Sequence, residues 1–155
     1  LPTPYLLTGI DDAFAMIPMR YHKHPEGFRF VRDDEGLVQL AFGDVGWQTL
    51  HAHQIAAAAM AHSGVNLILD EVVLNEVLRS DWLRLLEGLP VHYVGVHCEL
   101  AELERRERAR GDRMLGQARG QFGHVHEGMH YQATVDTTHQ SPETAAQQII
   151  AALKL

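Results

Sequence analysis

The chain has 155 residues, 46% of them hydrophobic and 21% charged, with 13 Gly and 6 Pro. That is the profile of one globular domain, too short for two ordinary ones and large enough to bury a core. Acidic residues outnumber basic ones by 20 to 13, which argues against a general nucleic-acid binder needing a broad cationic surface.

The lone Cys98 leaves no intramolecular disulfide and no thiolate cluster, so a reducing, cytoplasmic setting is the default expectation. No apolar run approaches the ~20 residues that span a membrane, and the opening residues lack a signal-peptide pattern. The chain opens on Leu1 rather than Met, which raises the expectation that it is a piece of a longer polypeptide.

Leu6 and Leu7 lead through Thr8 and Gly9 to Ile10, Asp11 and Asp12, a short strand whose end presents carboxylates, followed by a brief helix that stops near Pro18. From Phe28 to Leu40 the chain alternates about a polar turn at Asp33, Asp34 and Gly36, the pattern of a hairpin. Ala52, Ile55, Ala56 and Ala59 repeat at i, i+3, i+4 and i+7 and predict a helix from Trp47 to His62, ended by Gly64.

Val65 to Leu69 is an almost continuous apolar run closed by Asp70 and Glu71, as expected of a strand buried on both faces of a parallel sheet. Asn75 offers an N-cap for a helix through Leu78, Trp82, Leu85 and Leu86. Val91 to Cys98 reads as a further strand. Glu99 to Arg110 reads as a charged helix with Leu100 and Leu103 on its inner side, broken at Gly111. A second helical stretch follows, then a short strand from Thr134 to Thr137. A final helix is opened by Ser141 and Pro142, with Ile149, Ile150 and Leu153 as its buried face. Strands alternating with helices imply an α/β fold with a mainly parallel sheet.

In such folds ligands bind at the carboxyl ends of the strands, which makes Asp11 and Asp70 the carboxylates to watch. One could take a proton from a hydroxyl and the other could hold Mg²⁺, directly or through water. Read singly, each is equally a solvated loop acid or a helix cap.

Arg105, Arg106, Arg108, Arg110 and Arg113 fall within nine positions. Planar guanidinium groups suit phosphate oxygens, while charge alone favours a solvated helix face paired with Glu99, Glu102, Glu104 and Glu107. A phosphate loop of the form GxxxxGK[ST] is absent, because the only lysines, Lys23 and Lys154, sit between two histidines and between two leucines. The 11 histidines, including His124, His126 and His130 and the pairs His22/His24 and His51/His53, invite a zinc reading. Scattered surface and core histidines are the default.

Gly9-Ile10-Asp11, Leu69-Asp70-Glu71, Gly95 to Cys98, Ala109-Arg110-Gly111-Asp112-Arg113, Val125-His126-Glu127-Gly128 and Val135-Asp136-Thr137-Thr138-His139 together resemble the chloramphenicol 3-O-phosphotransferases among the P-loop kinases. The resemblance runs over nearly the whole chain. It implies a three-layer P-loop kinase-like α/β fold that transfers phosphate from ATP, with Mg²⁺, to a hydroxyl of a small molecule, an antibiotic such as chloramphenicol being one candidate.

By the resemblance Asp11 is the catalytic base, and Arg110 and Arg113 steady the phosphates from a lid with Arg106 assisting. Asp70 stands near the metal. It also implies a single kinase domain over residues 1–155 from which the first strand, the phosphate loop and its helix are missing, a central strand of the sheet among them. The alternative is a non-catalytic binding or interaction module that keeps the fold without the loop.

Overall fold

The computed structural model describes residues 3–34, 36–111 and 114–155. Strand β1 (Leu6–Gly9) runs into helix α1 (Ile10–Met16), and a 3₁₀ turn at Met19–Tyr21 leads to a hairpin of β2 (Phe28–Arg32) and β3 (Val38–Phe42). Helix α2 (Asp44–His62), strand β4 (Leu67–Asp70), helix α3 (Glu76–Leu85) and strand β5 (Val94–His97) follow. Helices α4 (Leu100–Arg110) and α5 (Gln117–Phe122), strand β6 (Ala133–Asp136) and helix α6 (Pro142–Leu153) complete the order.

The α/β alternation and the parallel pairing agree with the sequence reading, but the single sheet does not form. Among the described residues the strands make three two-stranded sheets: β1 with β4 and β5 with β6, both parallel, and the antiparallel hairpin β2–β3. Two-stranded sheets need a covering layer to be stable, and helices supply it. Ile10, Ala13, Leu50 and Leu78 join α1, α2 and α3 in one core cluster, with Phe14, Phe42 and Trp47 against it. Ala57, Ala58, Trp82 and Leu86 form a second, on which Leu69 of β4 and Val91, just ahead of β5, both pack.

Three expectations about burial are corrected. Strand β4 is not buried on both faces: Leu69 meets the second cluster, while Ile68 on the opposite face is 46% exposed. Helix α2 begins at Asp44 rather than Trp47 and buries Leu50, His53, Gln54, Ala57 and Ala58. The predicted apolar stripe faces outward, with Ile55 58% exposed. Alanines on both sides of this helix make its periodicity degenerate, so the packing partner chooses the face. In α4 the fully buried residue is Glu107, whereas Leu100 and Leu103 are half-buried.

The caps follow local chemistry. Asn75 Oδ1 accepts the N–H of Leu78, and Ser141 Oγ accepts that of Thr144 with Pro142 in the first turn. Gly111 ends α4 at φ 69°, a left-handed conformation that glycine adopts without steric cost.

Gly9 lies opposite Asp70 in the β1–β4 register, and a Cβ there would overlap the Asp70 carbonyl. Gly9→Ala therefore forces these strands apart. The expected loss is about 2 kcal/mol or more of unfolding free energy, measured as a lower urea midpoint. The exposed control Ser63→Ala stays within about 0.5 kcal/mol of the parent chain.

Candidate functional site

The site is built on the β1–β4 pair. Parallel register sets Gly9 beside Asp70, so the chain leaves both strands at the same carboxyl end. β1 passes directly into α1, whose first turn carries Asp11 and Asp12. Asp12 turns back, its Oδ2 accepting the Gly9 N–H at 3.1 Å and the Thr8 hydroxyl at 2.9 Å. Asp11 projects outward and is exposed, as is Asp70. The two carboxylates singled out from sequence are thus brought to one edge of the molecule by pairing that spans sixty residues.

Glu71, beside them, went unassigned in the sequence. Its Oε1 is buried with no hydrogen-bond partner. Burial pushes its pKa up to about 7; the hydrogen bond from Trp82 opposes this, and the neighbouring Asp70 carboxylate adds to it. A glutamate following an aspartate at a strand end gives no sign of this, since burial is set by the tertiary fold rather than by local sequence.

The arginines belong to the second parallel pair. The Val135–His139 segment fixes where α4 begins: Thr137 donates through both N–H and Oγ1 to the His97 carbonyl, and Thr138 Oγ1 accepts the N–H of Glu99. Asp136 Oδ1 accepts the N–H of Thr138, and its pKa is lowered chiefly by Thr138. Arg106 is engaged structurally, donating to Glu102 Oε1 at 2.8 Å and to the Thr137 carbonyl at 2.6 Å. Arg105 also binds Glu102, and the two guanidinium groups hold the Glu102 carboxyl down to about 2. Arg110 is exposed at the last turn of α4, next to the Gly111 break. Arg113 lies outside the described residues.

Glu107, expected on a solvated face, instead clasps the start of α5. Its Oε2 accepts the N–H of Gly116 and its Oε1 that of Ala118, both at 2.9 Å. Arg119 pairs with Glu104, and Arg32 of the hairpin donates to the Leu115 carbonyl. Residues 115–119 are therefore tied to α4 and to the β2–β3 hairpin. An i, i+9 acid-to-amide clasp across a turn has no sequence period to reveal it.

The histidines do not assemble a metal centre: among the described residues no three His, Cys, Asp or Glu side chains are grouped to hold an ion. His97 and His126 stack at 4.1 Å between ring centres, and Tyr131 OH lies 2.7 Å from His126 Nδ1. Neither lysine stands in a loop that opens a helix. Lys23 occupies a left-handed turn position, and Lys154 follows α6 as its C-cap. None of the described helices is long and apolar enough to cross a membrane.

A family profile described as chloramphenicol phosphotransferase-like protein matches residues 1–154. The chain belongs to that family. Two curated relatives, from two strains of Mycobacterium tuberculosis, each carry the name "Putative O-phosphotransferase" and are 38% identical over 89 residues. The matched stretch covers 57% of this chain and 40% of each relative, so it spans less than half the length of these proteins.

Two predictions follow from the buried acids. Glu71, with its folded pKa above the ordinary 4.5, contributes stability that is full below pH 4.5 and is lost as pH rises through about 7. A shift of that size corresponds to roughly 3 kcal/mol. Glu71→Gln should remove the dependence, so urea midpoints at pH 5 and pH 8.5 converge in the variant and diverge in the parent chain. Glu107→Ala leaves the amides of Gly116 and Ala118 without their acceptor. Hydrogen exchange should then rise tenfold or more there while the amides of α2 keep their protection.

Proposed function

We propose that this chain is the acceptor-side and arginine-bearing part of an O-phosphotransferase acting on the hydroxyl of a small molecule, with Asp11 as general base. The observation that carries the reading is the parallel register of β1 and β4, which delivers Asp11 and Asp70 to one strand end. Asp11 takes the hydroxyl proton as the acceptor oxygen bonds to phosphorus, the bond from phosphorus to the donor's leaving oxygen breaks with its electron pair going to that oxygen, and the proton stays on the Asp11 carboxyl group until it passes to solvent. Phosphoryl transfer asks a protein mainly for positioning and for charge opposite the phosphate oxygens. Arg110 and Arg113 are assigned the latter task, with Arg106 holding α4 against β6 and assisting from there.

The residues present fit the metal and not the nucleotide. Mg²⁺ keeps several waters and takes one or two carboxylates, which the exposed Asp70 and Asp11, at the same strand end, can provide. ATP needs a cradle of backbone N–H groups and a lysine, and neither Lys23 nor Lys154 stands in one. In this reading the cradle comes from a phosphate-loop segment covalently joined to the chain, and residues 1–155 are the remainder of a single kinase domain.

The strand pairs support that assignment. Among the described residues β4 and β5 each pair on one edge only, and Leu6, Leu7, Ile68 and Val96 leave apolar strand faces exposed. An added strand and helix would cover them. Chloramphenicol is one acceptor among hydroxylated small molecules.

The absent cradle equally favours a second reading, a non-catalytic binding module. The test is transfer of labelled phosphate from Mg-ATP to a panel of hydroxylated compounds that includes chloramphenicol. This chain alone should be inactive. The chain joined to a phosphate-loop strand and helix should be active, and Asp11→Ala should lower kcat by about 10²–10⁴-fold, the range of a positioned base. Absence of nucleotide binding by the joined protein supports the module instead, and transfer that survives Asp11→Ala removes the base assignment.

A further inference from the structure

His53 is a titratable side chain that the phosphotransfer reading leaves without a role, and it is only 7% exposed on the inner face of α2. Its Nε2 lies 3.0 Å from Thr8 Oγ1, and that hydroxyl lies 2.9 Å from Asp12 Oδ2. A carboxylate only accepts, and a threonine hydroxyl has one hydrogen to give. The hydrogen goes to Asp12, so Thr8 accepts from His53 and the proton of the ring sits on Nε2. Burial lowers the pKa of His53, with Asp12 opposing. The ring is thus neutral near pH 7, and Nε2–H is the tautomer the hydrogen bonds require.

A directed relay results. The His53 N–H donates to Thr8, the Thr8 O–H donates to Asp12, and Asp12 holds the N–H of Gly9. Gly9 and Asp12 are the N-cap and third residue of α1, and Asp11 lies between them. Gly9 has no freedom to retreat, because the Asp70 carbonyl is packed against it. The relay therefore fixes the backbone on both sides of Asp11.

We propose that His53 is a positioning residue for Asp11, acting through Thr8 and Asp12 from helix α2, which also packs Leu50 against Ile10 and Ala13 of α1. The proposal rests on Asp11 being the base, so its test has an arm that needs no activity.

In this chain, ¹⁵N shifts of the His53 ring should report the neutral Nε2–H tautomer. Hydrogen exchange at the Gly9 amide should rise about tenfold in His53→Leu and in the near-isosteric Thr8→Val. It should stay within threefold of the parent in His53→Gln, whose amide N–H replaces the Nε2 donor.

In the joined protein, His53→Leu should lower kcat tenfold or more with the acceptor KM within twofold, and His53→Gln should recover most of it. An Nδ1–H tautomer, or Gly9 exchange unchanged in both His53→Leu and Thr8→Val, overturns the relay. Equal kcat losses in the Leu and Gln variants, or no loss in either, overturn the positioning role. Full activity of Asp11→Ala is a separate result that fells the base assignment while the exchange and tautomer data still stand.

Discussion

The contact on which the candidate site depends is the close approach of Gly9 to the Asp70 carbonyl. Two short parallel strands, far apart in sequence, are brought so near that a single methyl group would part them. That approach sets the register, and the register sends the chain out of both strands at the same end. Once Gly9 is held, α1 must begin immediately, because Asp12 captures the Gly9 N–H and the Thr8 hydroxyl. Asp11, between Gly9 and Asp12, is left exposed at the strand end that Asp70 also closes.

The second parallel pair is organised by a comparable economy. The Val135–His139 segment spends its threonines on backbone groups: Thr137 on the end of β5 and Thr138 on the start of α4. Arg106 closes the same corner from the helix side. The arginine-rich stretch is therefore part framework and part candidate site. Glu102, Glu104 and Glu107 are used for framework, and Arg110 stands exposed in the last turn of α4.

Between the two pairs the structure keeps open edges. A strand with one unpaired side and an apolar face in water is costly, and β4 and β5 both have that character. Helices α2 and α3 hold the pairs to a common core through Leu69, Trp82, Leu86 and Val91. The result is a core that carries both parallel pairs and the exposed carboxylates at the end of one of them.

Much of this was readable from sequence because it is local. Strand and helix identities, the hairpin turn, the Asn75 and Ser141 caps, the break at Gly111 and the acids after Gly9 and Leu69 all follow from propensity, period and capping chemistry within a few residues. The family resemblance added roles for Asp11, Asp70 and the arginines that no spacing could supply.

Tertiary structure decided everything that required a partner across space. It chose the inner face of α2, since alanine runs on both sides and only packing against α1 and α3 separates His53 and Gln54 from Ile55. It buried Glu107 by offering two amides nine and eleven residues away, and it raised the pKa of Glu71 by burial. It left β4 open on one face despite an almost continuous apolar run, because burial is a property of neighbours and not of the strand. Sequence determined which residues could do chemistry; the long-range contacts determined which of them stand together.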